Sequence, residues 1–170
     1  KLKKSLQILN TVNSIDLYNP VSQLAFPIVL LNQYNFNLIE TLMINPDKKL
    51  KIIFTSANPN KTGSLKLDRE FRTIEEHIKA SKERDKIELL SKWALRLPDL
   101  TKALLDNNPQ ILHFSGHGSY DGLAFENANG DIETINTEGL KRLFSMFKES
   151  LQCVILNACY SEEIAKIISN

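Results

Sequence analysis

The sequence contains few cysteines. Only Cys153 and Cys159 occur among its 170 residues. Two cysteines are too few for the disulfide framework that holds small secreted domains together. We therefore expect two free thiols and a reducing compartment such as the cytoplasm.

The sequence also lacks a charge surplus and a long apolar run. Twenty-one basic residues against twenty acidic ones leave a formal net charge of +1, which argues against direct binding to nucleic acid or to a membrane surface. The longest uncharged apolar stretch, LAFPIVLL at 24–31, is far shorter than the roughly 20 residues that cross a bilayer. We expect it to be a core strand or helix.

With 42% apolar and 24% charged residues, the chain has the composition of a globular protein with one main core. The first 47 residues are rich in asparagine and space Leu2, Leu6 and Leu9 as a helix does. We interpret 1–47 as a small helical segment or a linker to an upstream module, and the turn-forming NPDKK at 45–49 as its end. The chain opens on Lys1 and not on methionine, so we expect its natural start to lie upstream.

From residue 48 onward, strand patterns alternate with helix patterns, which predicts an α/β fold with a mostly parallel sheet and helices on both faces. The continuously apolar strands are typical of a sheet covered on both sides. We predict strands at 50–56, 86–95, 110–116 and 151–159. We predict helices that begin at Leu67, at Leu97 and at Ile164, and one more helix that is capped by Thr137. A hairpin is predicted at 122–135, with its turn at Asn129-Gly130.

Two residues with nucleophilic chemistry follow buried strands. His117 and Cys159 each lie a few residues past the carboxyl end of a predicted strand, where open α/β sheets bind ligands. An imidazole that accepts the thiol proton makes cysteine a nucleophile, and the amides of Gly118 and Cys159 are candidates for an oxyanion hole. We expect Gly116 and Gly118 to let the backbone turn sharply around His117.

Other patterns point to weaker alternatives. The glycines at 116, 118 and 122 are one residue out of the dinucleotide fingerprint, and the loop at 58–64 lacks the order of a nucleotide-binding loop, although it could hold a phosphate. The G-x-S-x-G motif of serine hydrolases is absent. His113 and His117 do not share a helical face, so no metal site is predicted, and His77 lies on a charged helix where solvent exposure is expected.

Four stretches, KIIFTSANP, LKLDREFRTIEE, ILHFSGHGS and VILNACYS, occur in this order. From about Lys48 to the end, the sequence resembles the CHAT domain, a family of caspase-like cysteine peptidases in the clan of separases, metacaspases and gingipains. The resemblance implies a caspase-haemoglobinase fold with His117 as the catalytic histidine and Cys159 as the nucleophile. It also implies cleavage of a protein substrate through a thioester acyl-enzyme without cofactor or metal, and family habit suggests bacterial defence or programmed cell death.

The resemblance leaves several expectations open. Asn157 stands where metacaspase-like enzymes carry an aspartate that selects basic P1 side chains, so that preference is not supported. Because the chain stops at Asn170, we expect it to be large-subunit-like and to need a small-subunit-like C-terminal portion, together with a regulatory sensor or repeat module. We expect Ser115, Gly116, Asn157 and His113 to support the dyad or line its pocket. The alternative is a catalytically idle interaction or scaffold module.

Overall fold

The computed structural model describes residues 28–31, 45 and 47–169. Their strands are β1 (Ile28–Leu31), β2 (Leu50–Ala57), β3 (Ile87–Lys92), β4 (Ile111–Gly116), β5 (Gly118–Ser119), β6 (Gly122–Glu126), β7 (Ile132–Asn136) and β8 (Cys153–Asn157). Their α-helices are α1 (Leu67–Ala80), α2 (Leu97–Asn107), α3 (Thr137–Ser145) and α4 (Ser161–Ser169), and a 3-10 turn spans Arg84–Lys86.

The main sheet has the strand order β1-β8-β4-β2-β3. Strands β8, β4, β2 and β3 run parallel, and β1 pairs with β8 in the opposite direction. Near the carboxyl ends of the two strands that precede the candidate dyad, Ser115 of β4 is in register with Asn157 of β8. The two strands are direct neighbours, as the sequence led us to expect.

Helices cover both faces of this sheet, which confirms the predicted α/β class. Side chains alternate between the faces along each strand. On one face, buried strand residues pack with Ile74 and Ile78 of α1; on the other, they pack with buried residues of α2, α3 and α4. The first set includes Ile52, Phe54, Ile111 and Ile155, and the second includes Ile53, Leu112, Phe114 and Leu156.

The cap of α3 differs from the prediction. Asn136, and not Thr137, is the N-cap: its backbone is extended and its side-chain oxygen accepts a hydrogen bond of 2.8 Å from the amide of Gly139. Thr137 is already the first helical residue. The difference arises because both residue types favour this position and only the backbone conformation decides between them.

A smaller antiparallel sheet, β5-β6-β7, follows β4. The predicted hairpin is confirmed, since β6 pairs with β7 from Gly122↔Asn136 to Glu126↔Ile132. Gly130 in the turn has φ +78°, a left-handed conformation that glycine adopts without steric cost.

Strand β1 lies in the apolar stretch at 24–31, which we expected to be a core strand or helix, inside the segment 1–47 that we interpreted as helical or as a linker. Its four residues, Ile28–Leu31, are aliphatic and follow a proline, and they extend the main sheet at β8. The remainder of the helical prediction for 1–47 falls outside the described residues, apart from residues 45 and 47. Within the part of the chain that the structure describes, none of the helices has the length and apolar character required to cross a membrane.

Candidate active site

The ring of His117 is oriented by the loop that follows β2. Its Nε2 lies 2.9 Å from the carbonyl oxygen of Gly63 and 3.2 Å from the side-chain oxygen of Asn58. A carbonyl oxygen only accepts hydrogen bonds, so Nε2 carries the hydrogen and donates it. In the neutral ring, Nδ1 therefore has the free lone pair and can accept a proton.

This loop is in turn held by the β6–β7 hairpin. The amide of Asn60 donates to the carbonyl of Gly130 at 2.7 Å, and the amide of Asn58 donates to a carboxylate oxygen of Glu126 at 3.1 Å. The loop at 58–64, considered above as a phosphate site, thus contacts both His117 and the hairpin. These contacts favour a role in orienting the histidine.

The two cysteines differ sharply in surroundings. Cys159 is exposed, two residues beyond β8, whereas Cys153 is buried inside that strand. Burial raises the pKa of the Cys153 thiol to about 12, so this residue stays a protonated thiol at neutral pH. Cys159 is the thiol that a substrate could reach.

The fold brings the segments of His117 and Cys159 together. Each residue lies two positions past the paired residues Ser115 and Asn157. Gly118 packs so closely on the second segment that a Cβ at this position would overlap the carbonyl oxygen of Cys159. Among the hydrogen bonds of the described residues, none joins the His117 ring to the Cys159 thiol; the ring donates to the loop instead.

The glycines on either side of His117 allow close packing of neighbouring segments. Neither has a positive φ, whereas Gly122 and Gly130 do. A Cβ on Gly116 would lie 2.7 Å from the carbonyl oxygen of Ala57, closer than side-chain carbons approach. The absent side chains therefore let β4 and its exit approach two neighbouring segments.

The Gly118 amide points away from β6. The amide of Ala124 donates to the carbonyl of His117 at 2.9 Å, and Gly118 is paired with Leu123. Hydrogen-bonded and non-hydrogen-bonded pairs alternate along an antiparallel ladder, so the Gly118–Leu123 pair is of the second kind. This orientation is compatible with the oxyanion hole predicted from the Gly118 and Cys159 amides, which stays a prediction.

A partly buried polar cluster, which sequence reasoning missed in part, lies at the ends of the two strands that precede the candidate dyad. The carboxylate of Glu70, in the first turn of α1, receives hydrogen bonds from Nε2 of His113 at 2.7 Å, the hydroxyl of Ser115 at 2.5 Å and the side-chain amide of Asn157 at 2.8 Å. We name these four residues the Glu70 cluster. His113, Ser115 and Asn157 were predicted to support the site, whereas Glu70 was not among the predicted site residues.

Electrostatics in the Glu70 cluster favour an ionised carboxylate. Burial by itself raises the pKa of Glu70. The hydrogen bond and charge of His113 and the hydrogen bonds from Ser115 and Asn157 lower this pKa by more than burial raises it, so the net pKa lies below the ordinary 4.5. His113 and Ser115 are 3% and 1% exposed, so little water competes for these bonds. Polar residues at alternate positions of otherwise apolar strands were the signal that a partner must be present.

The described part of the chain contains no set of side chains that could bind a metal ion. No group of three or more His, Cys, Asp or Glu side chains lies close enough together there to hold an ion. The Glu70 cluster contributes only one histidine and one carboxylate.

Comparison with known proteins shows which family the chain resembles. Residues 25–166 match the model of the CHAT domain. A Roc-COR-CHAT protease from an unknown prokaryotic organism is 30% identical over 139 residues, which cover 77% of this chain but 13% of the relative. The chain therefore spans a small part of that protein's length.

A likeness among solved structures is weaker. A crystal structure described as a novel cobalamin-binding protein from Desulfitobacterium hafniense DCB-2 has a TM-score of 0.41 and 13% identity, with coverage of 80% of this chain and 56% of that one. A TM-score this low supports no inference about fold or ligand. The family match and the parallel sheet with helices on both faces agree with a caspase-like fold, and the chain belongs to the CHAT domain family.

Proposed function

We propose that this chain is the catalytic part of a cysteine endopeptidase with Cys159 as nucleophile and His117 as base. One observation carries the proposal: the two residues follow neighbouring parallel strands, and Gly118 packs directly on the backbone of Cys159. Membership of the CHAT family and a relative named as a protease support the same reaction class.

The chemistry follows from the hydrogen bonds of His117. Its Nε2 hydrogen is engaged by Gly63 and Asn58, so Nδ1 accepts the proton of the Cys159 thiol. The thiolate attacks the peptide carbonyl carbon, and the imidazolium then donates its proton to the leaving amine as the C–N bond breaks. A thioester remains, and water that is deprotonated by His117 hydrolyses it to release the acid and restore the thiol.

The oxygen of the tetrahedral intermediate needs fixed donors. The Gly118 and Cys159 amides are our candidates, because the Gly118 N–H is not used by β6 and lies on the segment that touches Cys159. Loss of one such donor typically slows acyl transfer by about 100-fold to 1,000-fold. No cofactor or metal is required in this scheme.

We also propose that the peptidase is regulated. His117 donates to the 58–64 loop, and Cys159 is exposed without a hydrogen bond to the ring in the described structure. A sensor or partner that moves the ring toward the thiol would switch the site on. The name of the relative, Roc-COR-CHAT protease, joins CHAT to further elements and fits such an arrangement. We also propose that this peptidase acts in the reducing cytoplasm of a bacterium and serves in defence.

The reaction of Cys159 with a peptidyl electrophile tests the dyad. The full-length protein, with whatever partner it requires, would be labelled and analysed by peptide mass spectrometry as wild type, His117→Ala and Cys159→Ala. We expect fast labelling at Cys159 that falls at least about 100-fold in His117→Ala. Cys153 in the same molecule reports the background, because its buried thiol should stay unlabelled.

A matched control is available on α1. Among the hydrogen bonds of the described residues, the His77 ring takes part in one, with the carbonyl of Thr73 in the same helix at 2.7 Å, so His77→Ala should leave the labelling rate unchanged. If Cys159 reacts no faster than a free thiol and His117→Ala has no effect, the peptidase proposal fails. The idle interaction module would then be the better reading of the fold.

A further inference from the structure

The Glu70 cluster connects the two strands that carry the candidate dyad. Oε1 of Glu70 accepts from both His113 of β4 and Asn157 of β8, and Oε2 accepts from Ser115 of β4. One carboxylate therefore bridges the carboxyl ends of both strands. Ser115 precedes His117 by two positions, and Asn157 precedes Cys159 by two.

We propose that Glu70 is a positioning residue, which holds the ends of β4 and β8 at the spacing that brings His117 and Cys159 into reach of each other. The proposal rests on the proposed peptidase function. It assigns no chemical step to Glu70, because the hydrogen bonds of its carboxylate in the described structure go to three supporting side chains and to neither residue of the dyad.

Aromatic and aliphatic side chains pack around the residues of the Glu70 cluster. The ring of His113 stacks on the ring of Phe54, with centroids 5.1 Å apart. The centroid of the Phe54 ring lies 5.3 Å from that of Phe71 in α1. Ile74 and Ile78, one and two turns further along α1, are buried against the same face of the sheet. Apolar packing against the sheet thus anchors the helix that carries Glu70.

Stability alone gives little reason for a bridge of this kind. Desolvation of a carboxylate and its partners is costly, and apolar residues of similar volume often hold buried positions equally well. The opposite face of the same strands uses apolar side chains at this level, with Phe114 1% and Leu156 0% exposed. Directional hydrogen bonds add what apolar packing lacks, a fixed distance between two strand ends.

Small displacements matter at this distance from the chemistry. Cys159 lies two residues past the end of β8 at Asn157, a chain length that spans at most about 7 Å, so a shift at Asn157 is passed directly to Cys159. A misplacement of about 1 Å between reacting groups can slow a reaction by about 100-fold. Ala158, between them, is 3% exposed and transmits the shift because it is packed in place.

Labelling rates across pH test the positioning role. In the full-length protein with its required partner, Glu70→Ala should react with the peptidyl electrophile about 10-fold to 100-fold more slowly at neutral pH. Its rate should also rise with pH as that of N-acetylcysteine does, because the thiol no longer benefits from the imidazole. Glu70→Gln should restore most of the rate, since its amide oxygen can still accept from His113 and Asn157.

Two further variants make the result interpretable. Glu76→Ala replaces an exposed glutamate of the same helix and should label as wild type does. Asn157→Ala removes only the link to β8 and should reproduce the slow rate and the altered pH profile, which keeps the test valid if Glu70→Ala does not fold.

Wild-type rates and an unchanged pH profile in folded Glu70→Ala and Asn157→Ala would overturn the proposal, and so would an equal loss in Glu70→Gln, which would point to charge alone. Failure of the peptidase function looks different, because wild type would then label no faster than His117→Ala. In that case crystal structures of wild type and Asn157→Ala decide: the ends of β4 and β8 should separate in the variant, and coincident positions of His117 and Cys159 would overturn the positioning role.

Discussion

The two faces of strands β4 and β8 differ in chemistry, because alternating residues of the same strands point to opposite sides of the sheet. Toward α1, apolar side chains give way at the carboxyl ends to His113, Ser115 and Asn157, which bind one carboxylate. Toward α2, α3 and α4, the side chains of Leu112 and Leu156 stay apolar and are 0% exposed.

The contrast indicates a division of labour. The apolar face excludes water and stabilises the fold in proportion to its buried apolar area. The polar face contributes less to stability and more to geometry. Changes on the apolar face should therefore lower stability with little effect on the reactivity of Cys159, and changes in the Glu70 cluster should do more to reactivity.

The largest loss of stability is expected from Leu112→Ala on the apolar face. Leu112 is fully buried in β4, the central strand of the main sheet, in register with Ile53 and Val154, and its truncation leaves a cavity. We expect the free energy of unfolding to fall by about 2–5 kcal/mol, measured by urea denaturation. The folded fraction should label at Cys159 at the wild-type rate.

Leu105→Ala on α2 is the matched control, because Leu105 is 65% exposed and its truncation should cost little. A loss in Leu112→Ala no larger than in this control would contradict the assignment of stability to the apolar face. A large fall in the labelling rate of Cys159 in folded Leu112→Ala would show that the apolar face also sets the reactivity of this thiol, and would contradict the proposed division.

A smaller and pH-dependent effect is expected from the polar face. The pKa of Glu70 lies below its ordinary 4.5 in the folded protein, so the ionised carboxylate contributes its full stabilisation above about pH 4.5. This contribution is lost as the pH falls through the lowered pKa. The stability gap between wild type and Glu70→Gln should therefore close in acid.

Urea unfolding of both proteins over a pH series gives that gap directly. Glu76→Gln, an exposed change on the same helix, corrects for the general effect of acid on the charge of α1. A gap that stays constant or widens toward low pH would show that Glu70 is not held in its ionised form.

Much of this organisation could be predicted from the sequence. Continuously apolar strands and helical spacing gave the α/β class, and the chain order of the strands placed His117 and Cys159 at one edge of the sheet. These features are local or follow from strand connections. The catalytic assignment of the two residues stays a prediction, since placement is not activity.

Glu70 could not be predicted because its role depends on long-range register. It lies 43 residues before His113 and 87 before Asn157 in the chain, and an acidic residue in a first helical turn is already explained by the helix dipole. The close packing of Gly116 and Gly118 was missed for a related reason, since only tertiary neighbours reveal it. Register and neighbours are properties of the assembled sheet.

The smallest effect concerns the cap of α3, on the apolar side of the sheet. The side chain of Asn136 accepts from the amide of Gly139, and Thr137 is the first helical residue. We expect Asn136→Ala to lower the free energy of unfolding by about 1 kcal/mol and Thr137→Ala by at most about 0.5 kcal/mol, both measured by urea denaturation. Cys159 labelling should change in neither variant, because the cap supports only the apolar layer. A larger loss in Thr137→Ala would restore the cap predicted from the sequence, and slower labelling in Asn136→Ala would mean that the layer beneath the sheet also sets the geometry of the dyad.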